Sequence, residues 1–263
     1  MYQFWQRQQG LYPVPESAVH DAMDHALKAF PNESCGAVVG GEYFPMANVH
    51  PLPQESFEVN PVELVMLIEK HGSLQAVMHS HPRGQRCPSF HDMEKQITAK
   101  IPFGIIVMGH SNVIDVVFFG DDVPIAPEIG RPFIHGVYDC YALGRDHYRN
   151  KYNILLPNFP RQDQWWDQAH GATDSNMFLT HFQEAGFFEI GFLDMQPGDA
   201  MICKLTTAPT TNHCGVYLGN GLVRHHLHGS VTRPRLSTDE SVYNWRKFST
   251  HSFRHKSLQE PAT

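Results

Sequence analysis

The sequence predicts a two-domain chain of mixed α/β (α+β) class, on three observations. Its 263 residues leave room for two modest domains, each with a core of its own. Segments with a helical apolar period alternate with short runs rich in β-branched and aromatic residues. Residues 121–133 (DDVPIAPEIGRPF) lose that periodicity to prolines, glycine and acids, as an extended linker does. The expected division is a first domain over 1–122, a linker over 123–133 and a second domain over 134–263.

Each element follows from local pattern. Residues 16–30 space Val19, Met23, Ala26, Leu27 and Phe30 at helical intervals, and Pro31 stops the run. The stretch GAVVGGEYFPMANV reads as a hairpin about Gly40-Gly41. Pro61 suits the first turn of a helix over 61–71, and the short strand LQAVMH follows. A helix is expected over 89–100, then two strands, FGIIVMGH and NVIDVVFFG. In the second half, helical character returns over 140–152 and again over 175–185, separated by an irregular aromatic and proline-rich stretch. AMICKL follows the turn Gln196-Pro197-Gly198-Asp199 as a strand, and HCGVYLGNGLVRHHL reads as two more about Gly219-Asn220-Gly221.

Composition excludes several classes. No run reaches the ~18 apolar residues of a membrane span. A formal net charge of -7 without a basic cluster gives no electrostatic reason to bind nucleic acid. Five cysteines without regular spacing argue against a disulfide framework, and the N-terminus lacks the pattern of a secretory signal, so synthesis in a reducing cytoplasm is expected. The eighteen histidines are the compositional oddity, and several fall in short groups.

His79 and His81, one residue apart at the end of an apolar strand, point to the same face and can converge on one ion. Ser89 and Asp92 fit the Ser-x-x-Asp form of a capping box, which places the aspartate in the first turn of the next helix. Two imidazoles and a carboxylate make a three-ligand zinc set that leaves the fourth position for water, whose pKa the metal lowers to ~7. Glu33, just beyond the first helix, is the candidate general base. Cys35 and Cys87 lie near the motif but are not expected to ligate, because a fourth protein ligand would close the site.

Glu33, His79-Ser80-His81-Pro82, Ser89 and Asp92 resemble the complete motif of the JAMM (MPN+) metalloproteases, Glu...His-x-His-x7-Ser-x2-Asp, over about residues 15–120. The resemblance implies a cytidine-deaminase-like α/β layer, with His79, His81 and Asp92 holding Zn2+, Glu33 as general acid/base, and Ser89 donating to the tetrahedral intermediate.

Cys140 follows Asp139 at the start of a helix, where unpaired amides and the helix dipole favour the thiolate. A capped helix with a buried small residue has the same local pattern. His213 enters a strand and His225 lies on the returning one. A three-residue loop pairs Gly215 with His225 and sets His213 and His225 on one face, whereas a two-residue Gly219-Asn220 loop pairs His213 with His226. In either register one imidazole can accept the thiol proton while the other orients it. Asp139-Cys140, the Gln196–Asp199 turn, His213 and His225 together resemble the NlpC-type papain-like cysteine peptidases over about 130–250, which implies a papain-like α+β domain and favours His225 as third residue. Tyr141 and Ala142 depart from that family's usual Ser-Gly after the cysteine. Cys214 and Cys203 are expected in packing roles.

A JAMM-type domain followed by an NlpC-type domain resembles the tail tip assembly proteins of lambda-like siphophages. That implies a virion component made in the host cytoplasm, with other tail tip proteins as partners. It also implies peptidoglycan stem peptides as substrate, reached in the periplasm during infection. Two readings of other classes stay open: an assembly protein whose peptidase folds serve as docking modules, and a host isopeptidase acting on intracellular conjugates.

Overall fold

The structure, a computed structural model, describes residues 4–166, 176–205, 208–229 and 235–259. It has mixed helices and sheets in two compact units, Met1–Ala126 and Pro127–Thr263. Among the described residues no helix is long and apolar enough to cross a membrane.

In the first unit, α1 (Trp5–Gln8) and α2 (Glu16–Ala29) precede the hairpin of β1 (Cys35–Val39) and β2 (Glu42–Met46). Then come α3 (Pro61–His71), β3 (Leu74–His81), α4 (Phe90–Ala99), β4 (Phe103–Met108) and β5 (Val113–Phe119). The strands form one sheet in the order β2-β1-β3-β4-β5, in which β3 and β4 are parallel and the other neighbours antiparallel. Parallel neighbours need a crossover rather than a tight turn, and α4 is that crossover. The helix therefore starts beside the end of β3, and its first turn carries Asp92.

The core of this unit forms where α2 lays Ala18, Val19, Ala22 and Ala26 against Val38, Met78, Ile106 and Phe118 of the sheet. Side chains alternate along a strand, so Met78 in that core sends His79 and His81 to the opposite face. α3 starts as expected at Pro61, with the Asn60 side chain accepting from the amides of Val62 and Glu63.

The second unit consists of α5 (Cys140–Tyr152), α6 (Met177–His181), β6 (Phe187–Ile190), β7 (Ala200–Cys203), β8 (His213–Gly219), β9 (Leu222–His225), β10 (Thr238–Ser241), α7 (Val242–Trp245) and β11 (Ser249–His255). Its sheet runs β10-β9-β8-β7-β11-β6, antiparallel throughout. α5 packs against β8, with Tyr148 and Val216 in one buried cluster. The turn at 196–199 fixes β7: Gly198 takes φ 100, and Asp199 accepts from the guanidinium of Arg254 on β11 at 2.9 and 2.7 Å.

The division between the units falls at Ala126/Pro127, inside the stretch expected as a linker. Beyond it, Glu128 accepts from Arg224 at 2.6 Å and lies 2.7 Å from His147, while Arg131, fully buried, reaches Asp146 at 2.6 Å. These are long-range partners that a proline-rich composition does not announce. The helix expected over 175–185 is the short α6, and Ser175 lies outside the described residues.

Two candidate active sites

The first site is assembled by strand register. Cys35 pairs with His79, and Ser34 continues the pairing: its amide donates to Ser80 Oγ at 2.8 Å, and its carbonyl accepts from the Ser80 amide at 3.0 Å. One residue further back, Glu33 arrives at the level of His81 and is buried. Burial is the main influence that raises its pKa to about 7, and the negative charge of Asp92 adds to it against the pull of His81.

His79, His81 and Asp92 are buried, and among the described residues they form the group whose ligand-type atoms lie within 4.8 Å of one another. The Nε2 atoms of the two histidines are 3.1 Å apart, and the Asp92 oxygens lie 3.5 Å from His79 Nε2 and 3.4 Å from His81 Nε2. A tetrahedral ion with bonds of about 2.05 Å separates its ligands by about 3.3 Å. The two imidazole nitrogens sit close to that edge length, and each has its own carboxylate oxygen of Asp92 at a similar distance, Oδ1 for His79 and Oδ2 for His81, so the donor set suits a small divalent ion with one position left open.

His81 Nδ1 faces the carbonyl oxygen of Gln85 at 3.0 Å, an acceptor that keeps the proton there and leaves Nε2 as a lone pair. His79 is stacked on Phe57, centroid to centroid 4.3 Å. Ser89 caps α4 through a full capping box: Asp92 N donates to Ser89 Oγ, while Ser89 N and Oγ both donate to Asp92 Oδ2 at 2.8 and 2.7 Å. The Ser89 proton is thus committed to the Asp92 carboxylate, and the same box that starts the helix aims that carboxylate. Cys35 is turned away, its Sγ 3.7 Å from the Met46 carbonyl oxygen and its thiol pushed up to about 12 by burial.

The second site centres on the first residue of α5. Asp139 caps the helix through Ala142 N at 2.8 Å, and its other oxygen accepts from Gly136 N and Arg161 Nε, each at 2.8 Å. Cys140 follows, in a cleft of about 440 Å³ whose walls include Phe133, Trp165, Trp166, His213 and Trp245. Its thiol is held well below the ordinary value. A hydrogen bond from Cys214 is the strongest influence, and His213 adds a hydrogen bond and its charge, together outweighing burial. Cys214 is correspondingly pushed up by its neighbour Cys140. The packing role expected of Cys214 is real, since it sits in a buried apolar cluster, yet it also makes a hydrogen bond to Cys140.

His213 opens β8, and β8 pairs with β9 so that Gly215 faces His225. The loop that produces this register is neither of the two considered from sequence. Asn220 and Gly221 form a two-residue turn with φ 52 and 74, and the register shifts between Tyr217 and Gly219. The extra residue on β8 restores the parity that a three-residue loop would give. His213 and His225 meet edge to face with ring centroids 5.4 Å apart, and Trp245 packs 5.1 Å from His213 and 4.3 Å from His225. His226 also lines the Cys140 cleft, with its Nε2 3.3 Å from the Arg235 carbonyl oxygen.

Sequence reasoning did not reach Trp245, Arg161 or Glu240, whose carboxylate accepts from Trp245 Nε1 at 3.0 Å. Each arrives through long-range pairing or an irregular segment, without a local pattern to mark it. Gly215 tests the β8/β9 contact. A Cβ there would meet Val223 Cγ2 at 2.6 Å and the Arg224 carbonyl oxygen at 3.0 Å. Gly215→Ala is expected to lower stability by about 1–3 kcal/mol in thermal or denaturant unfolding and to slow alkylation of Cys140, because the strands that carry the two histidines must separate.

A family model described as prokaryotic homologs of the JAB domain matches residues 15–118, and the NlpC/P60 family model matches residues 130–252. The chain is 29% identical over 195 residues to the tail tip assembly protein K of Escherichia phage lambda, covering 74% of this chain and 88% of that protein. It is 26% identical over 226 residues to the protein of the same name from Escherichia phage N15, covering 83% and 87%. A probable TtuB-protein conjugate cleaving protease of Thermus thermophilus is 32% identical over 100 residues, 35% of this chain and 67% of that protein.

Proposed function

Because the chain joins a JAB-family domain to an NlpC/P60-family domain, we propose that it is a two-site peptidase of a phage tail tip that hydrolyses amide bonds in peptidoglycan stem peptides. The observation that carries this reading is Cys140: a thiol held low at a helix start, with His213 beside it, opening into a cleft. The lambda and N15 relatives, matched over most of both chains, support a place in the virion tail among other tail tip proteins. From there the enzyme would reach the wall with the virion and act in the periplasm during infection.

In the second unit, the Cys140 thiolate attacks the peptide carbonyl carbon, and the electron pair moves onto oxygen, where the amides of the first turn of α5 stabilise it. His213 delivers the proton to the leaving amine, then takes one from the water that hydrolyses the thioester. His225 orients His213. In the first unit, His79, His81 and Asp92 would hold Zn2+, which supplies Lewis acidity at neutral pH. Glu33 takes a proton from water and returns it to the leaving nitrogen. Ser89 aims Asp92 and, rotated toward the substrate, would donate to the tetrahedral oxygen. An isopeptide as the first unit's substrate is a second reading, favoured by the Thermus relative whose name specifies conjugate cleavage.

Soluble wall fragments incubated with the wild type and with Cys140→Ala, then analysed by mass spectrometry, test the reading. New amine and carboxylate termini are expected with the wild type and lost, for at least one bond, with the variant. Identical fragment sets from the two proteins would reject hydrolysis by the second unit.

A further inference from the structure

The sequence supplies a nucleophile, a base and a third histidine, and the structure adds a carboxylate behind them. β10 pairs with β9 antiparallel, with Thr238 opposite His225 and Glu240 opposite Val223. Glu240 Oε1 lies 3.6 Å from His225 Nε2, and its Oε2 accepts from Trp245 Nε1 at 3.0 Å. The indole so held is the one that packs on both catalytic-site histidines. Glu240 therefore reaches the site through the tryptophan, and its second oxygen lies just beyond hydrogen-bond distance of the His225 ring nitrogen.

The ring nitrogens show why this matters. His225 is buried with neither Nδ1 nor Nε2 hydrogen bonded, and His213 Nε2 is also buried without a partner. Burial, and then the charges of His213, His226 and Arg235, lower the pKa of His225 to about 3, against the opposing pull of Asp239. It is therefore neutral, with one N–H and one lone pair. To orient His213 it must offer the lone pair, since the His213 nitrogen away from the cysteine carries a proton while His213 is a base. A carboxylate can only accept, so the N–H of His225 is best placed on the nitrogen nearest Glu240.

We propose that Glu240 is a positioning residue for Cys140 chemistry: it fixes the N–H of His225 on Nε2, so that Nδ1 presents its lone pair to His213 Nε2–H. The sequence of contacts is then Cys140, His213, His225 and Glu240, with Trp245 clamping both rings. This rests on the peptidase reading of the second unit. It goes beyond it by adding a group that never touches substrate.

The test does not depend on knowing the substrate. The rate of Cys140 alkylation by iodoacetamide is followed from pH 4 to 9 by peptide-resolved mass spectrometry in the wild type, Glu240→Gln and Glu240→Asp. In parallel, nitrogen NMR of the histidine side chains reads the His225 tautomer. Wild type is expected to alkylate at acidic pH with His225 in the Nε2–H form. Glu240→Gln can donate to Nε2 instead of accepting from it, and removes a negative charge near the imidazolium. It is expected to shift the alkylation profile upward by about one pH unit, a roughly tenfold slower reaction in the acidic range, and to move the proton toward Nδ1. Glu240→Asp, which keeps the charge, should recover part of the shift. A purely structural role would lower the unfolding temperature of both variants and leave profile and tautomer unchanged, which overturns the proposal. If wild-type Cys140 itself alkylates like an ordinary exposed thiol, the Cys140–His213 reading fails instead, so the two failures are distinguishable.

Discussion

Replacing Cys140 with alanine is expected to abolish hydrolysis by the second unit, by a factor on the order of 10⁶ in kcat, equivalent to about 8 kcal/mol of transition-state stabilisation. The fold should survive, because the change removes one sulfur at the first position of α5 while Asp139 still caps the helix through the Ala142 amide. A near-unchanged unfolding temperature beside the lost activity separates a chemical effect from a structural one. The pH dependence in the wild type has a definite sign. The Cys140 thiol lies well below its ordinary value, so the thiolate persists as pH falls below the ~8.5 of a free cysteine, and activity is lost only when that lowered value is crossed. Cys203, whose thiol burial raises to about 12, should stay unreactive across the same range.

The second large effect concerns the first unit. His79→Ala is expected to weaken zinc binding by more than about 100-fold, since removing a ligand exceeds what loss of an outer partner does to such sites. Metal analysis after dialysis should give close to one zinc per chain in the wild type and almost none in the variant. Glu33→Ala should hold the metal as the wild type does, because Glu33 is not among the three converging donors. Zinc should also raise the unfolding temperature of the wild type and of Glu33→Ala but not of His79→Ala, since an ion at about 100 times its Kd adds about 2.7 kcal/mol. Less than about half a zinc per chain in the gently purified wild type would count against the site.

What the sequence made legible was whatever is local. His79, His81, Ser89 and Asp92 lie on one strand end and the helix start that follows, and the capping box that reads from four consecutive letters is present in the structure. α3 and α5 have the bounds expected from a proline at the first turn and from an aspartate cap. Glu33 was legible as a letter, but its place depends on the pairing of β1 with β3, which brings the sequence before Cys35 to the end of the histidine strand. The choice between His225 and His226 turned on parity, and local pattern did not reveal the shift between Tyr217 and Gly219 that settles the register. The short polar strand β10, TDES, has no apolar period, and Glu240, which it carries to the site, was invisible for the same reason. Arg161, deep in an irregular segment, shows its role only through the buried carboxylate it pairs with.

The central claim is that one chain carries two separate amide hydrolases. It is tested most directly by digesting the same soluble wall peptides, and an isopeptide-linked conjugate, with four zinc-loaded proteins: the wild type, Glu33→Ala, Cys140→Ala and the double variant. Mass spectrometry of the products should show each single variant losing one set of cleaved bonds and keeping the other, with the double variant inert. Cleavage that persists in the double variant, or a wild type that releases no new termini from either substrate, would contradict it.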